Sequence, residues 1–263
     1  MYLDPAKLKF IGFGRGQAFY NYFTPNYSFQ IRNIRFLDAL PPRIVFVPAA
    51  PLSRLTEIAR TSKKLNVLLL GDSITDFAGA SNYAAYSGNQ LKKKWGIEVN
   101  VVNAGIAGHS ARSGHIVLPR ALRSMPNPDM VCIFYGANDC KSCVPATGYD
   151  ADAFGAHLEA LIDKVRYATE GKADIVLLSG VSRVAGGNKV SNGVVEQIAK
   201  IVPEVCKKKQ ATFCDSLSSF LPLPAGEKRR YYRDTIHLTA QGHLFLGNLL
   251  YEILDAHLQK ARL

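Results

Sequence analysis

From about residue 65 onward, short apolar runs alternate with segments of helical spacing, and this alternation restricts the fold more than any other feature. The runs cover 67–70, 99–102, 130–134, 175–178 and 211–214, are rich in β-branched residues, and are bounded by Gly, Asp or Asn. Between them Phe154, Leu158, Leu161 and Val165 recur at intervals of four, three and four, and Val194, Ile198, Ile201 and Val205 repeat the rhythm. Leu246, Leu249, Leu250, Ile253 and Leu254 make a last apolar helix face. Strands and helices in alternation predict βαβ units, an α/β fold with a mostly parallel five-stranded sheet covered on both faces. Ligands of such open sheets bind beyond the carboxyl ends of the strands.

The first 60 residues follow another pattern. They are aromatic-rich, with Phe10, Phe13, Phe19, Tyr20 and Tyr27 among them, and "YSFQIRNIRFL" partly alternates. We read residues 1–60 as a small β-type extension, joined through the Pro-containing "PPRIVFVPAAPLSRL" to a main domain over 61–263. Sixty residues are marginal for an independent core, so the extension is expected to pack on that domain. Its aromatics serve core packing or, alternatively, a sugar-stacking platform. "GFGRGQ" matches no dinucleotide fingerprint in spacing or context.

Several function classes fall away on charge, length and cysteine usage. The net charge is +11, but the densest basic clusters, 92–94, 207–209 and 228–230, are three residues long. No basic motif interleaved with aromatics and no zinc-finger spacing is present, so no nucleic-acid partner is expected. No apolar run approaches the roughly 20 residues that span a bilayer, and membrane insertion is not expected. "MYLDPAKLKF" lacks the apolar stretch of a secretory signal, which leaves a cytoplasmic protein or a trimmed secreted one. Cys132 and Cys214 sit in apolar runs and read as core. Cys140 and Cys143 form a lone CxxC without a second pair or a histidine at ligand spacing, weak support for a zinc or redox role.

Chemistry concentrates at the run ends. "GDSITD" follows the first run, "NAGIAGHS" the second and "GANDC" the third, while "DTIHLTAQGH" precedes the last helix. Ester hydrolysis by a serine needs a histidine to take the hydroxyl proton, and that histidine needs an acceptor to fix its tautomer. Asp234 and His237, on one short segment, supply both groups, with Ser73 as nucleophile. The charge developing on the carbonyl oxygen needs preorganised donors, for which the Ser73 and Gly108 backbone N–H groups and the Asn138 amide are plausible sources. Asp72 reads as a turn carboxylate shaping the Ser73 loop, Asp139 as a brace for the Asn138 loop, and Asp76 as a cap for the following helix.

These four blocks, in this order, resemble those of the SGNH (GDSL-type) hydrolases, over residues 65 to about 258. The resemblance implies a flavodoxin-like three-layer α/β/α sandwich with strand order 2-1-3-4-5, acting on esters or thioesters without a metal or other cofactor. It further implies a triad of Ser73, His237 and Asp234 and an oxyanion hole of Ser73, Gly108 and Asn138. The G-x-S-x-G elbow of the larger α/β-hydrolases is not found around Ser73.

The function expected on this basis is a serine esterase that removes a small acyl group, acetyl above all, from a carbohydrate. A lysophospholipase or acyl-thioesterase of the same family is the alternative within this chemistry. A non-catalytic carbohydrate-binding protein is the alternative outside it. Arg112, Arg120, Arg123, Arg183 and Arg233 raise an anionic substrate as a further expectation, against arginines that are merely solvated. His109 and His115 are rival bases without a carboxylate nearby in sequence. His157 reads as a packing residue, His243 as a helix residue facing the core or a helix surface, and His257 as solvated.

Overall fold

The computed structural model describes residues 50–77, 82–139, 151–182 and 192–262. The chain divides into two units, Met1–Val45 and Phe46–Leu263, and all described residues belong to the second. Residues 1–49 of the expected β-type extension and the Cys140/Cys143 pair lie outside the described residues, whereas the end of that stretch, Ser53–Arg60, is helical rather than β-type.

Five strands form one sheet: β1 (Lys64–Gly71), β2 (Glu98–Asn103), β3 (Met130–Phe134), β4 (Asp174–Leu178) and β5 (Thr212–Cys214). All pairings are parallel and the order is β2-β1-β3-β4-β5, the α/β arrangement expected. The helices in chain order are α1 (Ser53–Arg60), α2 (Tyr83–Trp95), α3 (Ala111–Ser124), α4 (Ala151–Ala168) and α5 (Asn192–Lys209). Then come α6 (Ser216–Phe220), α7 (Ala225–Tyr231) and α8 (Ala240–Lys260).

The apolar runs are continuous rather than alternating because both sheet faces are covered. Val67 and Leu69 of β1 turn to one face, where they join Leu55 of α1, Leu91 of α2 and Leu246 and Leu250 of α8. Leu68 and Leu70 turn to the other, against Leu118 of α3, Leu161 and Val165 of α4 and Val202 of α5. Three layers result. Helix α1 overlaps the stretch expected as a join between domains, and Leu55 and Ile58 fix it to the sheet layer. Its N-terminus sits on the Asp174 carboxylate, which accepts the Leu55 N–H at 2.7 Å and the Arg54 N–H at 3.2 Å.

The direction in which successive strands are added across the sheet reverses at β1, whose neighbours are β2 and β3. A crevice opens at such a switch point beyond the carboxyl ends of the strands. The loops that leave β1, β2 and β3 meet there.

Candidate active site

The loop after β1 is a closed turn. Asp72 Oδ1 accepts the Ile74 N–H at 2.9 Å, and the Asp72 carbonyl accepts the Asp76 N–H at 2.9 Å. Ser73 lies half-buried in this turn. Asp76 does not cap the next helix: Asn82 does, accepting the Ala84 N–H at 2.9 Å, because α2 begins too far downstream for Asp76 to reach.

The loop after β2 is stitched to the first. Ile106 N–H donates to the Gly71 carbonyl at 3.1 Å, and Asn103 Nδ2 donates to the Thr75 carbonyl at 2.6 Å. A Cβ at Gly105 would stand 2.5 Å from the Asp76 nitrogen, so only glycine lets the two backbones lie this close. Gly108 has φ 80°, a left-handed conformation that glycine adopts without strain. Among the described residues, the backbone N–H groups of Ser73 and Gly108 take no hydrogen-bond acceptor.

The loop after β3 is tied in turn to the second. Asn138 Nδ2 donates to the His109 carbonyl at 3.0 Å. Both Asp139 carboxylate oxygens accept the Ala111 N–H, at 3.1 and 3.2 Å, and place a negative charge at the N-terminus of α3. Burial pushes the Asp139 carboxyl up to about 6, against the pull of the Ala111 N–H and other backbone donors. Asp139 thus bonds to α3 and couples the second and third loops.

A fourth segment, between α7 and α8, closes the group. An antiparallel bridge joins Tyr232 to Leu238, and Arg233 N–H donates to the His237 carbonyl at 3.0 Å. Inside this tight loop Asp234 Oδ1 accepts the N–H groups of Ile236 at 2.9 Å and His237 at 2.7 Å. Asp234 Oδ2 lies 2.7 Å from His237 Nδ1, and His237 Nε2 lies 2.9 Å from Ser73 Oγ. Partial burial pushes the Asp234 carboxyl up, but the His237 and Ile236 N–H groups and the imidazole outweigh it and hold the carboxyl below its ordinary value. An ionised Asp234 accepts only, so Nδ1 carries the imidazole proton and Nε2 presents a lone pair to the Ser73 hydroxyl. That arrangement suits removal of the hydroxyl proton during nucleophilic attack.

The remaining histidines take other positions. His109 offers its carbonyl to Asn138, and burial lowers its imidazole pKa. His115 and His157 face each other across α3 and α4 with ring centroids 5.6 Å apart. His257, expected to be solvated, is half-buried with Nε2 2.8 Å from Thr56 Oγ1, because α8 ends against α1. His243 is 1% exposed. Sequence reasoning singled out neither Asn82 nor Asn103, whose side chains hold the first loop from outside it; an Asn immediately after a strand or before a helix was the available signal.

Of the arginines expected near the site, Arg183 lies outside the described residues. Arg120 and Arg123 are exposed well along α3, which at ~1.5 Å per residue carries them away from the carboxyl edge. Arg112 is exposed in the first turn of α3, and Arg233 is exposed with Nε 3.9 Å from Asp234 Oδ2. Among the described residues no group of three or more His, Cys, Asp or Glu is arranged to hold a metal, and no helix is long and apolar enough to cross a membrane. Cys132, Cys206 and Cys214 are free thiols in the core.

The fold and the converging loops are those of an SGNH-type hydrolase. Residues 69–244 match the GDSL-like Lipase/Acylhydrolase family, and the chain belongs to that family as a carboxylic ester hydrolase. It is 28% identical over 206 residues to the isoamyl acetate-hydrolyzing esterase 1 homolog of Mus musculus, covering 72% of this chain and 81% of the mouse protein. It is 35% identical over 86 residues to the isoamyl acetate-hydrolyzing esterase of Saccharomyces cerevisiae, 30% of this chain and 35% of the yeast protein. Among solved structures, an acetyl xylan esterase, AlAXEase, superposes with a TM-score of 0.60 at 23% identity, covering 72% of this chain and 98% of that one.

Proposed function

We propose that this esterase hydrolyses small acyl esters, acetyl esters above all, through Ser73, His237 and Asp234. The observation that carries the reading is the unbroken chain from Asp234 Oδ2 through His237 to Ser73 Oγ, with links of 2.7 and 2.9 Å. Ser73 Oγ attacks the ester carbonyl while His237 Nε2 takes its proton. Asp234 stabilises the imidazolium that forms. The tetrahedral oxyanion is held by the Ser73 and Gly108 N–H groups and the Asn138 amide. Collapse expels the alcohol, which receives the proton from His237, and leaves acyl-Ser73. Water, deprotonated by His237, then attacks the acyl-enzyme, and as the Ser73 ester bond breaks His237 returns the proton to Ser73 Oγ and the carboxylic acid leaves.

Two lines support an acetyl group. The curated relatives are named for isoamyl acetate, and the structural neighbour for acetyl xylan. Their alcohol halves differ. A carbohydrate alcohol is our reading, supported by the name of the structural neighbour; a small alkyl acetate is the second reading, favoured by the sequence relatives. The test is acetate release from acetylated xylo-oligosaccharides, isoamyl acetate and p-nitrophenyl esters of two to twelve carbons, with Ser73→Ala as the blank. Preference for chains of eight carbons or more would replace this reading with a lysophospholipase or thioesterase. Turnover in the blank would refute the nucleophile.

An anionic alcohol half is part of the proposal. Arg112 lies in the first turn of α3, which follows the second loop, and Arg233 Nε is 3.9 Å from Asp234 Oδ2; in this reading the two guanidinium groups attract a uronate beside the ester. Equal rates on neutral and acidic acetylated sugars at low salt would remove this element.

A further inference from the structure

Helix α8 follows the Asp234–His237 loop directly, and its first turn carries a buried imidazole that the chemistry above does not use. His243 is 1% exposed and, among the described residues, its Nδ1 has no hydrogen-bond partner. Its ring lies flat on Phe77, with centroids 4.2 Å apart and planes 20° from parallel. On α2, the Tyr83 ring is also nearly parallel to it, 8° off at a centroid distance of 6.3 Å. Phe77 ends the turn that holds Ser73. Tyr83, fully buried, has its hydroxyl 3.4 Å from Thr75 Oγ1 in the same turn.

We propose that His243 is a positioning residue whose ring clamps the Ser73 turn against the His237 segment. The inference rests on the Ser73–His237 reading above. Two short segments, 73–77 and 237–243, then touch at two points: His237 on Ser73 at one end, and His243 on Phe77 at the other. A single hydrogen bond lets one segment pivot about the other, whereas a second, flat contact fixes their relative rotation. The hydroxyl is thereby held in line with Nε2 before substrate arrives. Burial, with the Arg233 charge adding to it, lowers the His243 pKa to about 4, so the ring stays neutral and able to stack while the triad is active. A planar ring is what this role requires, since an aliphatic side chain fills the volume without fixing an angle.

The test compares His243→Leu, which keeps an apolar side chain without the plane, with His243→Phe, which keeps the plane without the nitrogens. Turnover of p-nitrophenyl acetate is measured per folded molecule, with near-ultraviolet circular dichroism and melting as the control for folding. His243→Leu should lose about tenfold or more in kcat with KM changed less than about twofold, and His243→Phe should stay within about threefold of the parent. Loss in both variants would show that the nitrogens matter rather than the plane, and retention in both would show that no clamp is needed; either overturns the proposal. If His243→Leu does not fold, Phe77→Leu removes the half-buried partner ring and carries the same expectation. Turnover that survives Ser73→Ala would instead sink the underlying triad reading, a result distinct from Ser73-dependent turnover indifferent to His243.

Discussion

Asn138 donates a side-chain N–H to the His109 carbonyl at 3.0 Å, joining the loop after β3 to the loop after β2. That bond fixes the rotation of an amide whose nitrogen carries a second N–H, the group proposed to meet the oxyanion. Asn138→Ala should therefore lower kcat by about 10²–10³-fold, with KM little altered, in steady-state assays on p-nitrophenyl acetate. A rise in KM at constant kcat would instead mark Asn138 as a ground-state contact.

Asp234 is nearly half exposed, yet backbone N–H groups and the imidazole keep its carboxyl below the ordinary value. It stays ionised through mildly acidic pH, and its contribution to stability is lost only as pH falls through that lowered value. Asp234→Asn presents a donor or a neutral acceptor to Nδ1 and permits the wrong tautomer. Turnover near pH 7 should fall about 10⁴-fold while the melting temperature changes little.

Gly105 is a site of backbone contact. An alanine Cβ there meets the Asp76 nitrogen at 2.5 Å and the Thr75 carbonyl carbon at 2.7 Å, and neither is a side chain that can swing away. Gly105→Ala should cost about 1–3 kcal/mol in denaturant unfolding. Because the displaced backbone belongs to the Ser73 turn, kcat should fall with it.

At the opposite edge of the sheet, burial pushes the Asp174 carboxyl up to about 7 despite the Leu55 and Arg54 N–H groups it accepts, with Asp129 pushing the same way. A carboxyl whose folded value exceeds its unfolded value, 3.8, keeps its proton longer in the native state. Stability from this group is therefore greatest at low pH and declines as pH rises from about 4 to 7. Asp174→Asn still offers an oxygen to Leu55 N–H but does not ionise. Measured by urea unfolding, the parent should lose stability relative to Asp174→Asn between pH 5 and pH 8; a constant difference would contradict the assignment.

How much of this was legible in the sequence depended on whether the signal was local. The strand runs 67–70 and 130–134 were plain because burial on both faces makes them continuously apolar, and α4 and α5 because one face repeats at helical spacing. The strand order came from the resemblance to a family, since periodicity says nothing about which strands are neighbours. Helix α1 was hidden in a Pro-containing stretch because its anchor, Asp174, is remote in sequence. Ser73, His237 and Asp234 were nameable because Asp234 and His237 share one loop before the last helix and the Ser73 block stands at a run end. Asn103, Asn82 and the Phe77–His243 stack were not, because their roles depend on which backbones the folded chain brings together.

The most direct test of the central claim is labelling with a fluorophosphonate, read out by peptide mass spectrometry. The account predicts a single phosphonylated residue, Ser73, and near-complete loss of labelling in His237→Ala. Phosphonylation at another residue, or an unchanged labelling rate without the imidazole, would contradict it.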